Sequence, residues 1–313
     1  MRPSTTSTLY GPDGEVKLTW RNKGNELTPA EITQQFIDAC EDVRPPTYII
    51  RAPVEEVEDT LTLYPFPDTH IGMLTWEPET GVSWDLKIAE QKITAAFDRV
   101  VAASPPSKWS TFLGLGDLFH SDNNRNETDK GHNRLDVEGR YPKIYGVVCR
   151  ILVHCIDKLL LKHEHVDVRI LPGNHDQHSS VGAAHYLAAW YRHEPRVLVD
   201  LSPDPFWYCR FDQTMLAATH GDQARASQMP LIMATRRSKV WGDTVHRYAF
   251  LGHLHRSEKT VTEGGGCKTE IMEAPIPKDA WSHGKGFLSG STLSSITYSR
   301  TEGEICRAVR SVL

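Results

Sequence analysis

Five strand-like apolar runs, each followed by a small polar cluster, limit most strongly how this chain of 313 residues can fold. The runs alternate with helical stretches along the sequence. This alternation predicts an α/β fold, in which helices cover the faces of a sheet. The runs cover residues 61–66, 111–115, 166–171, 215–219 and 248–251.

Two helices and a pair of late strands complete the predicted pattern. Apolar residues recur at helical spacing from Leu86 to Val100, and a second helix is predicted over 144–162. After residue 255 the chain is rich in glycine and then β-prone over 293–298 and 305–312. We expect these last two segments to be closing strands of a second sheet.

The first 55 residues differ from the rest of the chain in amino-acid composition and pattern. They are polar, and they contain one helix signal in which Thr28, Pro29 and Glu31 occupy the N-cap, first-turn and capping-box positions. The sequence therefore predicts an N-terminal appendage over 1–55 and a main domain over 56–313. This appendage could be an arm that docks a partner, but we favour the interpretation that it only packs against the rest of the protein.

Composition limits the class of protein and its compartment. The balance of 35 basic and 40 acidic residues gives a net charge of -5, so that any contact with nucleic acid must be local. None of the six cysteines forms a C-x-x-C pair, and we interpret all six as reduced thiols. Because no apolar leader or stretch of about 20 apolar residues is present, we expect a soluble cytoplasmic protein without a membrane segment.

The polar clusters form a candidate metal site. In α/β sheets, functional groups gather beyond the carboxyl ends of the strands. Residues two apart on an extended segment point to one side, so Asp68 with His70, and His253 with His255, can each face one locus. Carboxylate, imidazole and amide oxygen together suit Mn, Fe or Zn better than Mg or Ca. The clusters are residues 68–70, 116–117, 173–176, 220–222 and 252–255.

The number of candidate ligands favours two ions over one. Seven side chains exceed the needs of one tetrahedral ion, whereas two ions that share a bridging carboxylate would use them all. Two cations about 3.5 to 4 Å apart can hold a phosphate and lower the pKa of a bridging water. A histidine positioned by a carboxylate is well suited to protonate the leaving group near pH 7.

The ordered motifs resemble the calcineurin-like metallophosphoesterase family, whose pattern runs D-x-H, G-D, G-N-H-D or E, H, G-H-x-H. The resemblance covers roughly residues 60–260 and implies a four-layer α/β/β/α sandwich. It implies two divalent transition-metal ions, most plausibly Mn, with Fe, Zn or Ni as alternatives. It assigns Asp68, His70 and His255 to one metal, Asn174, His220 and His253 to the other, Asp117 as the bridge, His175 as the catalytic histidine and Asp176 as the residue that orients it.

The second motif, Gly116-Asp117-Leu118-Phe119-His120, indicates one group within this family. It looks like the double-strand-break repair nucleases related to SbcD, in which this histidine helps to place the nucleic-acid backbone. His120 can equally act as a support that hydrogen-bonds a metal ligand. Members of that nuclease group continue into a DNA-binding cap and a segment that docks an ATPase, and we expect both to be absent here. The chain then resembles the short phosphoesterases that bacteriophages carry among recombination genes.

These observations predict a metal-dependent phosphodiester hydrolase, specifically a Mn-activated DNA nuclease acting on single strands or ends. In the predicted mechanism a metal-bound hydroxide attacks the phosphorus. The alternative within the family is a phosphomonoesterase or a phosphodiesterase for cyclic or small nucleotides. A third possibility, a binding module without turnover, ranks last because every ligand and the catalytic histidine are present in the sequence. The oligomeric state stays open.

Two segments supply candidate contacts to the DNA. The polar loop after Asp117 and the segment between His220 and His253 carry cations, amides and one indole that can grip a phosphate backbone or stack a base. A solvated helix face is the alternative interpretation of the second segment. The candidate residues are Asn123, Arg125, His132, Arg225, Arg236, Arg237 and Trp241.

Overall fold

The computed structural model describes residues 6–10, 15–21, 50, 53, 57, 59–128, 132–254, 262–278, 284 and 290–313. The chain divides into two compact units, Met1–Thr47 and Tyr48–Leu313. The first unit contains an antiparallel hairpin of β1 (Thr6–Tyr10) and β2 (Val16–Arg21). The predicted helix that begins near Thr28 lies outside the described residues.

The second unit contains the remaining described elements. Its strands are β3 (Thr60–Phe66), β4 (Trp109–Gly114), β5 (His165–Ile170), β6 (Val197–Asp200), β7 (Trp207–Phe211), β8 (Thr214–Ala218), β9 (His246–Leu251), β10 (Thr262–Gly264), β11 (Cys267–Ile271), β12 (Thr292–Ser299) and β13 (Gly303–Ser311). Its helices are α1 (Glu77–Thr80), α2 (Leu86–Ala103), α3 (Tyr141–Leu160), α4 (Ser179–Trp190), α5 (Met229–Arg236) and α6 (Ser238–Asp243), with a 3₁₀ turn at Ala226–Gln228. Among the described helices, none is both long enough and apolar enough to cross a membrane.

The described strands of this unit form two sheets. The six-stranded sheet has the order β13-β12-β3-β4-β5-β6, and β3 to β6 run parallel. The five-stranded sheet has the order β10-β11-β9-β8-β7, in which β8, β9 and β11 run parallel. The five strands predicted from the sequence are thus β3, β4 and β5 of the first sheet and β8 and β9 of the second.

Alternating side chains place each sheet between two apolar layers. Leu63 of β3 and Leu216 of β8 belong to one apolar cluster, which fills the space between the sheets. Tyr64 faces the other way, into the core beneath α2, α3 and α4. Met215 likewise faces the cluster beneath α5 and α6. Since neighbouring residues of a strand point to opposite faces, this pattern produces four layers, and the predicted α/β/β/α sandwich is confirmed.

Local signals explain where the long helix α2 begins and ends. The side chain of Asp85 accepts a hydrogen bond of 2.7 Å from the backbone N–H of Ile88, which satisfies one of the unpaired amides of the first turn. The apolar residues from Leu86 to Val101 then form one buried stripe against the first sheet. At the end, Ser104 takes an extended conformation and stops the helix.

The last two strands correct one expectation. They were predicted to close a second sheet, but β12 pairs antiparallel with β3, opposite Leu63 at Ile296, and β13 pairs with β12. Both therefore extend the first sheet. The β-prone pattern identifies a strand, whereas its partner depends on which sheet edge the fold leaves open. The second sheet is completed instead by β7, β10 and β11, which the sequence did not reveal.

His163 is fully buried, although a lysine and a glutamate flank it in the sequence. Its Nδ1–H donates to the carbonyl oxygen of Ser107 at 2.7 Å, and the hydroxyl of Tyr64 donates to its Nε2 at 2.8 Å. Burial, which disfavours the charged imidazolium, lowers the pKa of His163 to about 4. The ring therefore stays neutral at a pH where it would be protonated in the unfolded chain.

This burial predicts that His163 makes the fold sensitive to acid. Because the unfolded chain binds a proton near pH 6.5 and the folded chain only near pH 4, stability is complete above pH 6.5 and falls as the pH drops towards 4. For this residue the free energy of unfolding should fall by about 2 kcal/mol between pH 7.5 and pH 4.5. Urea unfolding of the wild type and of His163→Gln at both pH values measures the difference.

The exposed His193 supplies the control. His193→Gln should keep the pH dependence of the wild type, whereas His163→Gln should show a smaller loss of stability in acid. An identical pH dependence in His163→Gln and the wild type would contradict the assignment.

Candidate metal centre

Polar side chains from five loops meet where the strands of both sheets end. Asp68 and His70 follow β3, Asp117 follows β4, Asn174 and His175 follow β5, His220 follows β8, and His253 follows β9. The parallel direction of β3, β4 and β5 brings their loops to one edge. The two sheets are joined at this edge, because Nδ1–H of His220 donates to the carbonyl oxygen of Leu115 at 2.8 Å.

The loops bring their donor atoms close enough together to share metal ions. One ligand atom from each of Asp68, His70 and Asp117 lies within 4.8 Å of the other two, and the same holds for Asp117, His220 and His253. Asp117 is common to both groups. The Oδ1 atom of Asn174 lies 3.1 Å from Nε2 of His220 and so adjoins the second group. His255, the seventh predicted ligand, lies outside the described residues.

The electrostatics of the centre depend on the buried carboxylate of Asp117, which is 1% exposed. Burial by itself would raise the pKa of Asp117, but the imidazoles of His220, His70 and His175 outweigh this and hold it well below its usual range. Burial lowers the pKa of His220, whereas the adjacent Asp117, 3.2 Å away, raises it to a net value of about 10. A positive charge beside Asp117 is therefore strongly favoured, and a divalent cation would meet the same requirement.

The backbone of the centre is strained at the donor residues themselves. Asp68, His70, Asp117 and His253 have φ angles of 43°, 40°, 53° and 71°, in the left-handed region that residues with side chains rarely adopt. Backbone bonds hold this geometry: the N–H of His70 donates to the carbonyl oxygen of Asp117 at 2.9 Å, and that of His253 donates to the Asp68 carboxylate at 2.9 Å. Strain of this kind is retained where it positions functional groups.

This donor set fits a site for divalent metal ions. It combines two carboxylates, imidazoles and an amide oxygen, a mixture that suits Mn, Fe or Zn better than the oxygen-seeking Mg or Ca. Asp68 and His70 would hold one ion, and Asn174, His220 and His253 the other. Asp117, which belongs to both groups, would bridge the two.

His175 and His120 lie next to these donors. Nδ1–H of His175 donates to the carbonyl oxygen of His120 at 2.8 Å, and the two rings stack with their centroids 5.6 Å apart. Nδ1 of His120 lies 3.2 Å from Nδ1 of His70, and these two rings with His175 form a third group of clustered donors. His120 therefore contacts both a candidate metal ligand and the expected catalytic histidine.

The contacts of Asp176 differ from its expected role of orienting His175. Its carboxylate accepts hydrogen bonds from the backbone N–H groups of Gly173, Leu118 and Asp117, at 2.8, 2.7 and 3.2 Å. It thus joins the loop after β5 to the loop after β4, and the carbonyl oxygen of His120 orients the His175 ring instead. Burial, together with the charge of Asp117, raises the pKa of Asp176 to about 7.

The candidate DNA contacts near α5 and α6 have partners on the second sheet. The guanidinium of Arg236 lies 4.3 Å from the Phe206 ring centroid and pairs with Asp204, and that of Arg237 lies 4.5 Å from the Tyr208 ring centroid. The indole of Trp241 is covered by Arg247 at 4.4 Å. These contacts hold the helices against the sheet. They favour the alternative interpretation, in which Arg236, Arg237 and Trp241 are part of a helix face and not DNA contacts. Arg225 stands apart from them, at the N-cap of the 3₁₀ turn.

The other candidate contacts lie on the loop after His120. Oδ1 of Asn123 accepts a hydrogen bond from the backbone N–H of Arg125 at 2.8 Å, which folds the loop into a turn. His132 is exposed and lies 3.7 Å from Glu127. The loop therefore begins at the centre and extends to the surface. The sequence does not single out Asp122, near the start of this loop, or His178, on the loop after β5, and the structure brings these two side chains together.

Comparison with known proteins adds little to this geometry. No family model and no curated protein matches the chain. Solved structures that match include a conserved uncharacterized protein of Streptococcus pneumoniae TIGR4 described as a predicted phosphoesterase, with 10% identity, a TM-score of 0.32 and coverage of 82% of this chain and 99% of that one. Another is sulfate thiohydrolase SoxB of Thermus thermophilus in complex with glycerol, with 11% identity, a TM-score of 0.34 and coverage of 83% and 58%. At these TM-scores neither similarity carries an inference about this chain.

The close approach of two loops predicts that Gly173 is required for metal binding. A Cβ atom at Gly173 would overlap Oδ1 of Asp117 and would have to displace that carboxylate. Gly173→Ala should therefore lower the affinity for Mn by roughly tenfold or more, since even small displacements of a ligand weaken a metal site. Isothermal titration calorimetry with Mn measures the change.

Gly146→Ala is the matched control, because the nearest atom to its added Cβ is a flexible arginine nitrogen 3.8 Å away. Gly146 lies inside α3, where alanine is a better helix former. Circular dichroism should show both variants folded. Wild-type Mn affinity in Gly173→Ala would contradict the arrangement.

Proposed function

We propose that this chain is a metal-dependent phosphoester hydrolase with a dinuclear centre, and that its substrate is the phosphodiester backbone of DNA. The observation that supports the proposal is the convergence of Asp68, His70, Asp117, His220 and His253 at the ends of strands from both sheets. The order of motifs, which resembles the calcineurin-like metallophosphoesterases, supports the same reaction class.

The chemistry follows from charge. When bound, two divalent cations, most plausibly Mn, would neutralise the charge of the phosphate and acidify a water molecule for attack. The protein residues hold the geometry for this step. Asp117 is fixed between His220 and His70, and its Oδ1 accepts the backbone N–H of His175 at 2.8 Å. The same carboxylate therefore positions the backbone of the proposed acid.

His175 is the proposed general acid. Its Nδ1–H is engaged by the carbonyl oxygen of His120, so Nε2 is the nitrogen with which it would protonate the leaving oxygen. A backbone carbonyl on one nitrogen fixes both the tautomer and the orientation of the ring. His120 carries that carbonyl and also contacts His70, as expected of a residue that supports a metal ligand. Its role in placing the substrate backbone beside the centre is part of the proposal and rests on the resemblance of the motif.

The nuclease assignment within this class rests on the Gly116-Asp117-Leu118-Phe119-His120 motif and on the polar loop that follows it, which carries Asn123, Arg125 and His132. Single strands or ends are the proposed substrates, and the proposal includes no ATPase partner. We place the protein in the cytoplasm, because the five described cysteines are free. The catalytic unit would be residues 56–313, with 1–55 as its appendage.

Substitutions of His175 and of Asp117 should impair the protein in different ways. His175→Ala removes the proposed acid but no proposed metal ligand, so turnover should fall by about 10² to 10⁴ while Mn still binds. Asp117→Ala removes the bridge, so both turnover and bound metal should be lost. Kinetic assays and elemental analysis of the dialysed proteins separate the two outcomes. Full activity in both variants would contradict the assignment.

The substrate class is tested by a panel assayed side by side with Mn. Labelled single-stranded DNA should be cleaved with a higher kcat/KM than a cyclic nucleotide or a generic aryl phosphate. A preference for either small substrate would overturn the nuclease proposal in favour of a small-molecule phosphoesterase. Addition of EDTA should abolish turnover of all three, and activity that persists in EDTA would contradict the metal dependence.

A further inference from the structure

His178 and Asp122 form a carboxylate–imidazole pair beside the proposed catalytic residues. Nδ1 of His178 lies 2.8 Å from Oδ2 of Asp122, and the backbone N–H of His178 donates to the same oxygen at 2.8 Å. The Asp122 side chain is 10% exposed, whereas the His178 side chain is 84% exposed. The imidazole is thus held from one side by a nearly buried carboxylate, with most of its surface in solvent.

The position of this pair follows from the bonds between two neighbouring loops. The loop after β4 and the loop after β5 are connected at three successive points. The innermost connection joins Asp117 to Asp176, and the next joins His120 to His175. The third joins Asp122 to His178 and Ser179. His178 therefore lies one connection further out than the proposed acid, at the rim of the centre.

The backbone N–H groups of His178, Ser179 and Ser180 at the start of α4 already have acceptors. The N–H groups of His178 and Ser179 and the hydroxyl of Ser179 all donate to Asp122. A ligand at this place would therefore meet the His178 side chain and not the helix terminus. With Nδ1 engaged by Asp122, the imidazole presents Nε2, and an imidazolium in this arrangement donates one N–H to each of two oxyanions.

We propose that His178 binds a phosphate of the DNA strand next to the one that is cleaved, with Asp122 as the residue that positions it. This inference rests on the proposed function and specifies the substrate as a chain with more than one phosphate. A substrate with a single phosphate has no group to reach His178. The imidazole thus contributes selectivity for polynucleotides over small phosphoesters.

The kinetic test compares two substrates with Mn in the holoenzyme: a single-stranded oligonucleotide and a small aryl phosphodiester. His178→Ala should lower the ratio of kcat/KM for the oligonucleotide to kcat/KM for the small diester by roughly fivefold, the typical effect of losing one hydrogen bond to a charged group at an exposed site. His178→Asn, whose amide can still reach Asp122 but has no counterpart of Nε2, should show the same loss. His193→Ala is the control, because this exposed histidine follows α4 at its far end.

A binding test provides a second readout without turnover. In the His175→Ala background, fluorescence anisotropy with a labelled oligonucleotide should show a roughly fivefold higher Kd when His178→Ala is added. The slope of log Kd against log salt concentration should become shallower by about 0.7, as expected for one lost phosphate contact on a single strand. His178→Arg should restore the slope, because a guanidinium also binds phosphate.

The results of these experiments distinguish failure of the inference about His178 from failure of the nuclease proposal. An unchanged substrate ratio and salt slope in His178→Ala, with the wild type active on both substrates, would overturn this inference alone. Wild-type behaviour in His178→Asn would overturn it as well, since the bond to Asp122 would then be the only role of the ring. Failure of the wild type to cleave or bind the oligonucleotide would overturn both the nuclease proposal and this inference.

Discussion

The carboxylate of Asp117 carries a negative charge where almost no water reaches it, and the architecture around it compensates that charge. His220 approaches from the second sheet and His70 from the first, at 3.2 and 3.7 Å from the same oxygen. The other oxygen accepts the backbone amide of His175. An isolated buried carboxylate is strongly unfavourable, so these neighbours are a condition for the fold as well as for the chemistry. The packing of the two sheets brings the compensating groups together.

Most of the candidate centre could be predicted because its residues share a local signal. A polar residue directly after a buried strand lies at a sheet edge, and parallel strands end at the same edge. This reasoning applies to Asp68, Asp117 and His220 without knowledge of the tertiary structure. The same reasoning cannot predict which side chains on different loops form hydrogen bonds with each other. The family resemblance assigned the carboxylate of Asp176 to His175, but this carboxylate accepts hydrogen bonds from amides of the loop after β4.

The same limit applies to the fold. The apolar pattern of 293–298 predicts a strand, and a strand is present, but its pairing with β3 depends on contacts between residues more than 200 positions apart. His163 has the sequence context of a surface residue between a lysine and a glutamate, and its burial follows from the positions of Tyr64 and Ser107. The sequence does not single out His178 for the same reason: its significance comes from Asp122, on another loop. Periodicity identifies elements and their faces, whereas pairing between distant segments decides which polar groups meet.

We expect the donors from the five loops to hold two divalent ions that share Asp117. Anomalous diffraction at the manganese edge, from crystals grown with excess Mn, tests this expectation most directly. Two anomalous peaks about 3.5 to 4 Å apart are expected, with the Asp117 carboxylate between them. A single peak, or none among Asp68, His70, His220 and His253, would contradict it.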